Sequence, residues 1–197
     1  MANGLFEKYD VRPAIAFEDP IYQYWVYSRS KEVDITKPED LALVRDLSII
    51  MRDTLWKYGW AAVSSNNLHW NGTDSPIRVA MVPHPDGQDY LTIVNLVIIS
   101  KQGVEYENIE GCGSFPNALY SVKRFSSVVA SGHLLHESGL TPVELEYGLK
   151  NATLDEILNG DNPHIIDAVA KAEYIQHEVD HLNGIGIADK GAIQPKR

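Results

Sequence analysis

Residues Gln176-His177-Glu178-Val179-Asp180-His181-Leu182 constrain this chain more than any other stretch. On a helix, His177 and His181 stand one turn apart, so both imidazoles reach from one face towards one ion. Glu178 lies beside them, a carboxylate able to take a proton from a metal-bound water. The pattern is short, and an ordinary surface helix with two solvated histidines is the plain alternative. The surrounding residues bear on that choice. Asn162-Pro163 supplies an N-cap and a proline at the first helical position, and Asn183-Gly184 supplies a stop. Between them one face carries Ile165, Ala168, Ala172, Ile175, Val179 and Leu182, and the other carries Ile166, Ala170, Glu173, His177 and His181. This predicts a helix packed on one side and lining a site on the other.

Composition narrows the class. A net charge of −10 argues against a phosphate-binding surface, so no nucleic-acid partner is expected. The longest strongly apolar run, Leu96-Val97-Ile98-Ile99, is far too short to cross a bilayer. The N-terminal residues have no signal-peptide core and carry acids that transit peptides avoid. The single Cys excludes an intramolecular disulfide framework and fits a reducing compartment, so a cytoplasmic protein is expected. With 197 residues, one domain is the simplest reading.

Leu41 to Tyr58 reads as the first long helix, opened by Lys37-Pro38-Glu39-Asp40, with Leu41, Val44, Leu47, Ile50, Met51 and Leu55 at helical spacing. Strands follow at Arg78–Val82, Tyr90–Val94 and Asn95–Ser100, with breaks at Pro83–Gly87 and Gln102-Gly103. Val122–Ala130 and Val143–Tyr147 read as further strands. The order helix, antiparallel strands, helix defines an α+β domain, with antiparallel sheets around the C-terminal motif-bearing helix.

A catalytic metal site generally takes three protein ligands. The lone Cys, in Ile109-Glu110-Gly111-Cys112-Gly113-Ser114-Phe115-Pro116, is the candidate third, although a lone Cys is ordinarily a small buried hydrophobe. Its flanking glycines are poor strand formers and let backbone approach an ion. Glu110 beside it calls for a cationic partner, and Arg124 on the next strand suits that role.

At these residues the chain resembles the peptide deformylases. Glu110-Gly111-Cys112-Gly113-Ser114 is similar to their Glu-Gly-Cys-Leu-Ser motif, and Gln176 to Gly184 to their Gln-His-Glu-x-Asp-His-Leu-x-Gly motif. Glu18-Asp19-Pro20-Ile21, Lys31-Glu32-Val33-Asp34, Asn95-Leu96-Val97-Ile98 and Val122-Lys123-Arg124 extend the likeness from about Ala14 to Lys190. The chain then reads as one deformylase-like domain over 1–197. It carries an extra segment at about 148–167, where Thr153-Leu-Asp-Glu156 forms a capping box; that segment is expected to be either a lid or a neutral insertion.

The resemblance implies metal-dependent removal of the formyl group from the N-terminal methionine of nascent polypeptides, releasing formate. Cys112, His177 and His181 would be the ligands of one divalent ion, iron(II) foremost, with zinc or nickel in the same place. Glu178 would be the general base, and the Gly113 N–H would bind the developing oxyanion. The third family motif, Gly-x-Gly-x-Ala-Ala-x-Gln, is altered. Aligned on Ala61-Ala62, Gly59 survives, the first Gly is Lys57, and the Gln that supplies the second oxyanion donor is Ser64. Ser64 donates from a shorter side chain; Asn66 or Asn67 would be the replacement if the loop runs differently, against their plain reading as turn residues. Gly59, Glu173 and Tyr174 are expected at the substrate pocket, with Glu173 and Tyr174 where the family has small or aliphatic residues. Ile187 to Arg197 is too rich in breakers for the long C-terminal helix some members carry, so ribosome docking by such a helix is not expected. Two further readings stay open: a same-fold metal amidase acting on another formylated or small acylated amine, and a non-catalytic deformylase-like binding protein.

Overall fold

A computed structural model describes residues 3–14, 19–87 and 89–194. Its elements run in the order α1 (Asn3–Tyr9), β1 (Arg12–Pro13), α2 (Pro20–Tyr27), α3 (Pro38–Tyr58), β2 (Val63–Ser64), a 3-10 turn (Ser65–Asn67), β3 (Leu68–His69), β4 (Val79–Pro83), β5 (Tyr90–Cys112), β6 (Phe115–His136), β7 (Gly139–Gly148), α4 (Leu154–Leu158), α5 (Pro163–Leu182), α6 (Ile187–Lys190) and β8 (Ala192–Gln194). The main sheet is antiparallel in the order β2-β4-β5-β6-β7, with β8 added to β6. β1 and β3 form a separate pair. The α+β reading therefore holds, with α5 as the helix at its centre. Glu18, at the start of the N-terminal likeness, lies outside the described residues.

The break expected at Gln102-Gly103 is not a break. β5 continues to Cys112, and the register against β6 shifts between Gln102 and Glu105. Gly103 sits there at φ +75°, which only glycine takes without strain, and the Val104 N–H donates to the Ser126 hydroxyl at 3.0 Å. The result is a bulge that bends the long hairpin rather than ending it. Its far end delivers Cys112 to the site.

Two clusters hold the molecule together. In one, Trp25, Val26, Val44, Leu47, Ile50 and Met51 from α2 and α3 pack with Val63, Leu68, Trp70, Val79 and Phe115. In the other, Ala172, Ile175, Val179 and Leu182 of α5 pack on Val82, Ile93, Leu96, Val128, Ala130 and Tyr147. Burying Ile175, Val179 and Leu182 stabilises the helix on the sheet by about 1.5–3 kcal/mol per side chain. Polar contacts then fix its rotation and height. Gln176 pairs with the Phe125 backbone like a neighbouring strand, accepting its N–H at 3.0 Å and donating to its carbonyl at 2.9 Å. The buried Arg78 donates to the Leu96 and Leu182 carbonyls at 2.8 and 3.2 Å and to Asn183 at 3.0 Å, closing the helix C-terminus. The caps are as read: Asn162 accepts the His164 N–H at 3.0 Å, and Gly184 takes φ +73°.

Candidate active site

Two elements bring the chemistry together: the last residues of β5 and the face of α5 turned towards them. Alternation along β5 sends Tyr106, Asn108, Glu110 and Cys112 to the same side, towards α5. Helical spacing puts Glu173, His177 and His181 opposite them. The Cys112 Sγ lies 3.2 Å from the His181 Nε2, which lies 3.2 Å from the His177 Nε2. All three ligand atoms fall within 4.8 Å of one another.

These distances suit a bound ion. Tetrahedral Cys and His ligation at ordinary bond lengths separates the ligand atoms by about 3.3–3.6 Å. The His177 Nδ1 is 2.9 Å from Glu110, which turns its Nε2 towards the centre. The Nδ1 of His181 is buried with no hydrogen-bond partner among the described residues. Burial pushes the Cys112 thiol up, but the imidazoles, His181 foremost, outweigh it and hold the thiol well below its usual range. A sulfur kept as thiolate is the form that binds metal.

Beneath the ligands lies a buried ionic cluster. Arg124 meets Glu110 through two bonds of 2.6 and 2.8 Å and Asp180 through one of 2.6 Å. Asp180 also receives Lys190 at 2.5 Å. Burial raises the Glu110 carboxyl, but the Arg124 and His177 contacts prevail and bring it down to about 2. The Glu110–Arg124 pair expected from sequence is therefore present, and Asp180 of the histidine motif completes it.

A cleft of about 560 Å³ opens at Cys112 and His177, with His181 buried behind them. Its walls include Trp60, Ala61, Ala62, Asn67, Asn108, Ile109, Glu110, Gly113, Glu173, Tyr174 and Glu178. Glu178 is buried, with one carboxylate oxygen unpartnered among the described residues. Burial raises its carboxyl above the usual range, against the opposing pull of the histidines. Gly113 and Ser114 form the tight turn joining β5 to β6, where Cys112 pairs with Phe115.

Gly59 and Ser64 are not among the residues lining the cleft, although the Ser64 side chain hydrogen-bonds Glu178. Gly59 is the left-handed C-cap of α3, at φ +66°, and its neighbour Trp60 lines the cleft instead. Ser64 is fully buried, and its N–H and hydroxyl both reach the Asn67 Oδ1 at 2.8 Å. Of Asn66 and Asn67, it is Asn67 that lines the cleft, and its Nδ2 donates to the Ser114 hydroxyl at 3.2 Å. Asn66 is committed to structure, donating to the Trp25 and Ser28 carbonyls at 3.2 and 2.7 Å and accepting from Ser30 at 2.6 Å. None of the cleft residues comes from 148–167, a segment that forms α4 and the first turn of α5.

Sequence reasoning passed over Trp60, Tyr106 and Asn108. The strand alternation counted back from Cys112 would have found the last two. Trp60 has a specific partner: a Cβ on Gly113 would meet its indole at 2.2 Å. The indole thus fills the space a side chain at 113 would occupy. Gly113→Ala should displace Trp60, which stacks on Tyr58, and raise KM for peptide substrates. Adding Trp60→Ala to Gly113→Ala should remove the clash, and steady-state kinetics of the single and double variants checks this. A double variant no better than Gly113→Ala would refute the coupling.

A strand-borne Cys, a His-Glu-x-x-His helix and a buried carboxylate at an open cleft fit the class of metal-dependent hydrolases. The comparisons make this specific. Residues 19–147 match the polypeptide deformylase family model. The peptide deformylase of Elusimicrobium minutum is 30% identical over 154 residues, 75% of this chain and 70% of that protein. That of Aquifex aeolicus is 29% identical over 166 residues, 82% and 78% of the two chains. Among solved structures, the peptide deformylase of Thermotoga maritima superposes with a TM-score of 0.62 at 21% identity, covering 92% of this chain and 97% of that one. The chain belongs to the polypeptide deformylase family, metal-dependent amide hydrolases that remove the N-formyl group from nascent chains. No helix among the described residues is long and apolar enough to cross a membrane.

Proposed function

We propose that this chain hydrolyses the formamide at N-formylated peptide termini with one divalent ion held by Cys112, His177 and His181. The convergence of those three ligand atoms beneath an open cleft, with the unpartnered Glu178 oxygen beside them, carries the reading. Iron(II) is the proposed ion, and the Cys and His donors also suit zinc or nickel. When bound, the ion supplies an acidified water and polarises the formyl oxygen. Glu178 accepts the proton that water loses and delivers it to the amine as the carbon–nitrogen bond breaks. Water's oxygen and hydrogens are thereby divided between formate and the free terminus. Glu110 holds the His177 ring, and Arg124 and Asp180 hold Glu110.

The oxyanion donors are proposed as the Gly113 N–H and the Asn67 carboxamide. Ser64 engages the Asn67 oxygen, which turns the Asn67 amide towards the Cys112–Ser114 turn. Ser64 is then a positioning residue. Asn67→Ala should lower kcat by about 10²–10³-fold with little change in the affinity of an unformylated product peptide. An unchanged kcat in Asn67→Ala would remove it from the mechanism. Cys112 is the chain's only Cys and serves as a thiolate ligand here, which fits the reducing cytoplasm. The partner is the formylated terminus of a nascent chain. α6, with 4 residues, is not assigned as a ribosome-docking helix.

A further inference from the structure

We propose that a second cavity, behind the cleft, is a binding site for a small oligophosphate such as pyrophosphate. This cavity has a volume of about 480 Å³ and shares no lining residue with the cleft. Arg124 separates the two, holding Glu110 of the cleft and Asp180 of the cavity. Arg29, Arg78, Lys101, Lys123, Arg124 and Lys190 line the cavity, against the two acids Glu32 and Asp180. That excess of positive charge stands in a chain whose net charge is −10. The cations come from distant stretches of sequence, so no basic run announces them.

The six are not alike. Arg124 and Lys190 already hold carboxylates, those of Glu110 and Asp180. Arg29, Arg78, Lys101 and Lys123 form no ion pair among the described residues. Lys123 stands opposite Glu107 in the β5–β6 register, also without an ion pair. Arg78 is the most telling of the four, being only 4% exposed. Its guanidinium donates to the Leu96 and Leu182 carbonyls and to Asn183, which uses three of its five N–H groups. All three acceptors are neutral. Burial and then Arg29 pull this guanidinium below its usual range, and Glu32 opposes them without reaching ion-pair distance.

A buried cation without a carboxylate costs free energy that an incoming anion offsets. Phosphate oxygens match both guanidinium forks and ammonium groups. Arg29 and Arg78 flank the C-terminus of α5, and Lys101 and Lys123 come from the β5–β6 hairpin. A single carboxylate would answer one end of this arrangement, whereas linked phosphates carry charge to both. No aromatic residue lines the cavity, so nothing is provided for stacking on a base. A nucleic-acid strand would also bring its charge against the acidic remainder of the chain.

Calorimetric titration of the zinc-loaded protein with pyrophosphate tests this. One pyrophosphate per chain should bind, about 10-fold or more tighter than sulfate at equal ionic strength. Arg29→Gln should weaken it about 10-fold, and so should the double variant Lys101→Gln with Lys123→Gln. All three residues are exposed, so both variants should keep the wild-type Tm. The two variants probe opposite ends of the cavity, and either one decides the question if the other fails to fold. Absence of binding would overturn the proposal. Binding of equal strength in wild type and variants would also overturn it, since pyrophosphate would then be meeting the metal ion in the cleft. So would a single-stranded RNA oligomer that binds tighter than pyrophosphate and is released by the same substitutions.

Discussion

Glu178→Gln is expected to lower kcat for formyl-peptide hydrolysis by about 10²–10⁴-fold while metal content stays at the wild-type level. The substitution keeps the side chain's size and hydrogen-bonding ability but removes its capacity to take a proton. Glu178 suits the proposed role of base: it lines the cleft and is buried, with one carboxylate oxygen unpartnered among the described residues. It is not one of the three converging ligand atoms, so its loss should leave the ion in place. Metal analysis of the same sample separates the two effects. A kcat within about 10-fold of wild type would show that another group moves the proton. Loss of metal along with activity would instead make Glu178 a ligand.

Arg124→Ala should destabilise the fold by about 3–5 kcal/mol, because it leaves the buried Glu110 and the partly buried Asp180 without the guanidinium that joins them. The side chains of Arg124 and Glu110 are 2% and 9% exposed, so water cannot substitute. Arg124→Lys should recover only part of the loss, since an ammonium cannot make the two-pronged contact with Glu110 and reach Asp180 at once. The damage should extend to the site. Glu110 orients His177, and losing such an outer partner typically weakens metal affinity about 10–100-fold. Denaturant unfolding of the metal-free protein and a competitive metal titration read the two effects separately. A destabilisation below about 1 kcal/mol would mean that the cluster behaves like a surface ion pair.

Local pattern made much of this architecture legible. The α5 caps, its apolar face and the α3 helix follow from spacing and end signals that tertiary structure does not override. The helix α2 carried the same kind of signal, Asp19 as N-cap before Pro20, and was passed over. Periodicity also carried more than was taken from it. Tyr106, Asn108, Glu110 and Cys112 alternate along one face of β5, so the cleft wall was implicit once Cys112 was placed. Gly103 misled because glycine marks both a break and a bulge, and only the pairing of β5 with β6 tells them apart. The role of Asn67 lay beyond local reading. Ser-Ser-Asn-Asn is turn-forming in any setting, and only the approach of Ser114 and the helix α2 divides the work between Asn66 and Asn67. Trp60 over Gly113 is likewise a contact between segments distant in sequence.

The central claim is that three ligands and one base make this chain a hydrolase of formylated termini. It is tested most directly by measuring formate release and metal content together during anaerobic iron(II) titration of the metal-free protein. A panel of formyl peptides should include methionine and norleucine at the first position. The account predicts that formate release rises with iron, levels off at one ion per chain, and is lost on chelation. Saturation at one ion per chain with no formate from any peptide in the panel would contradict it.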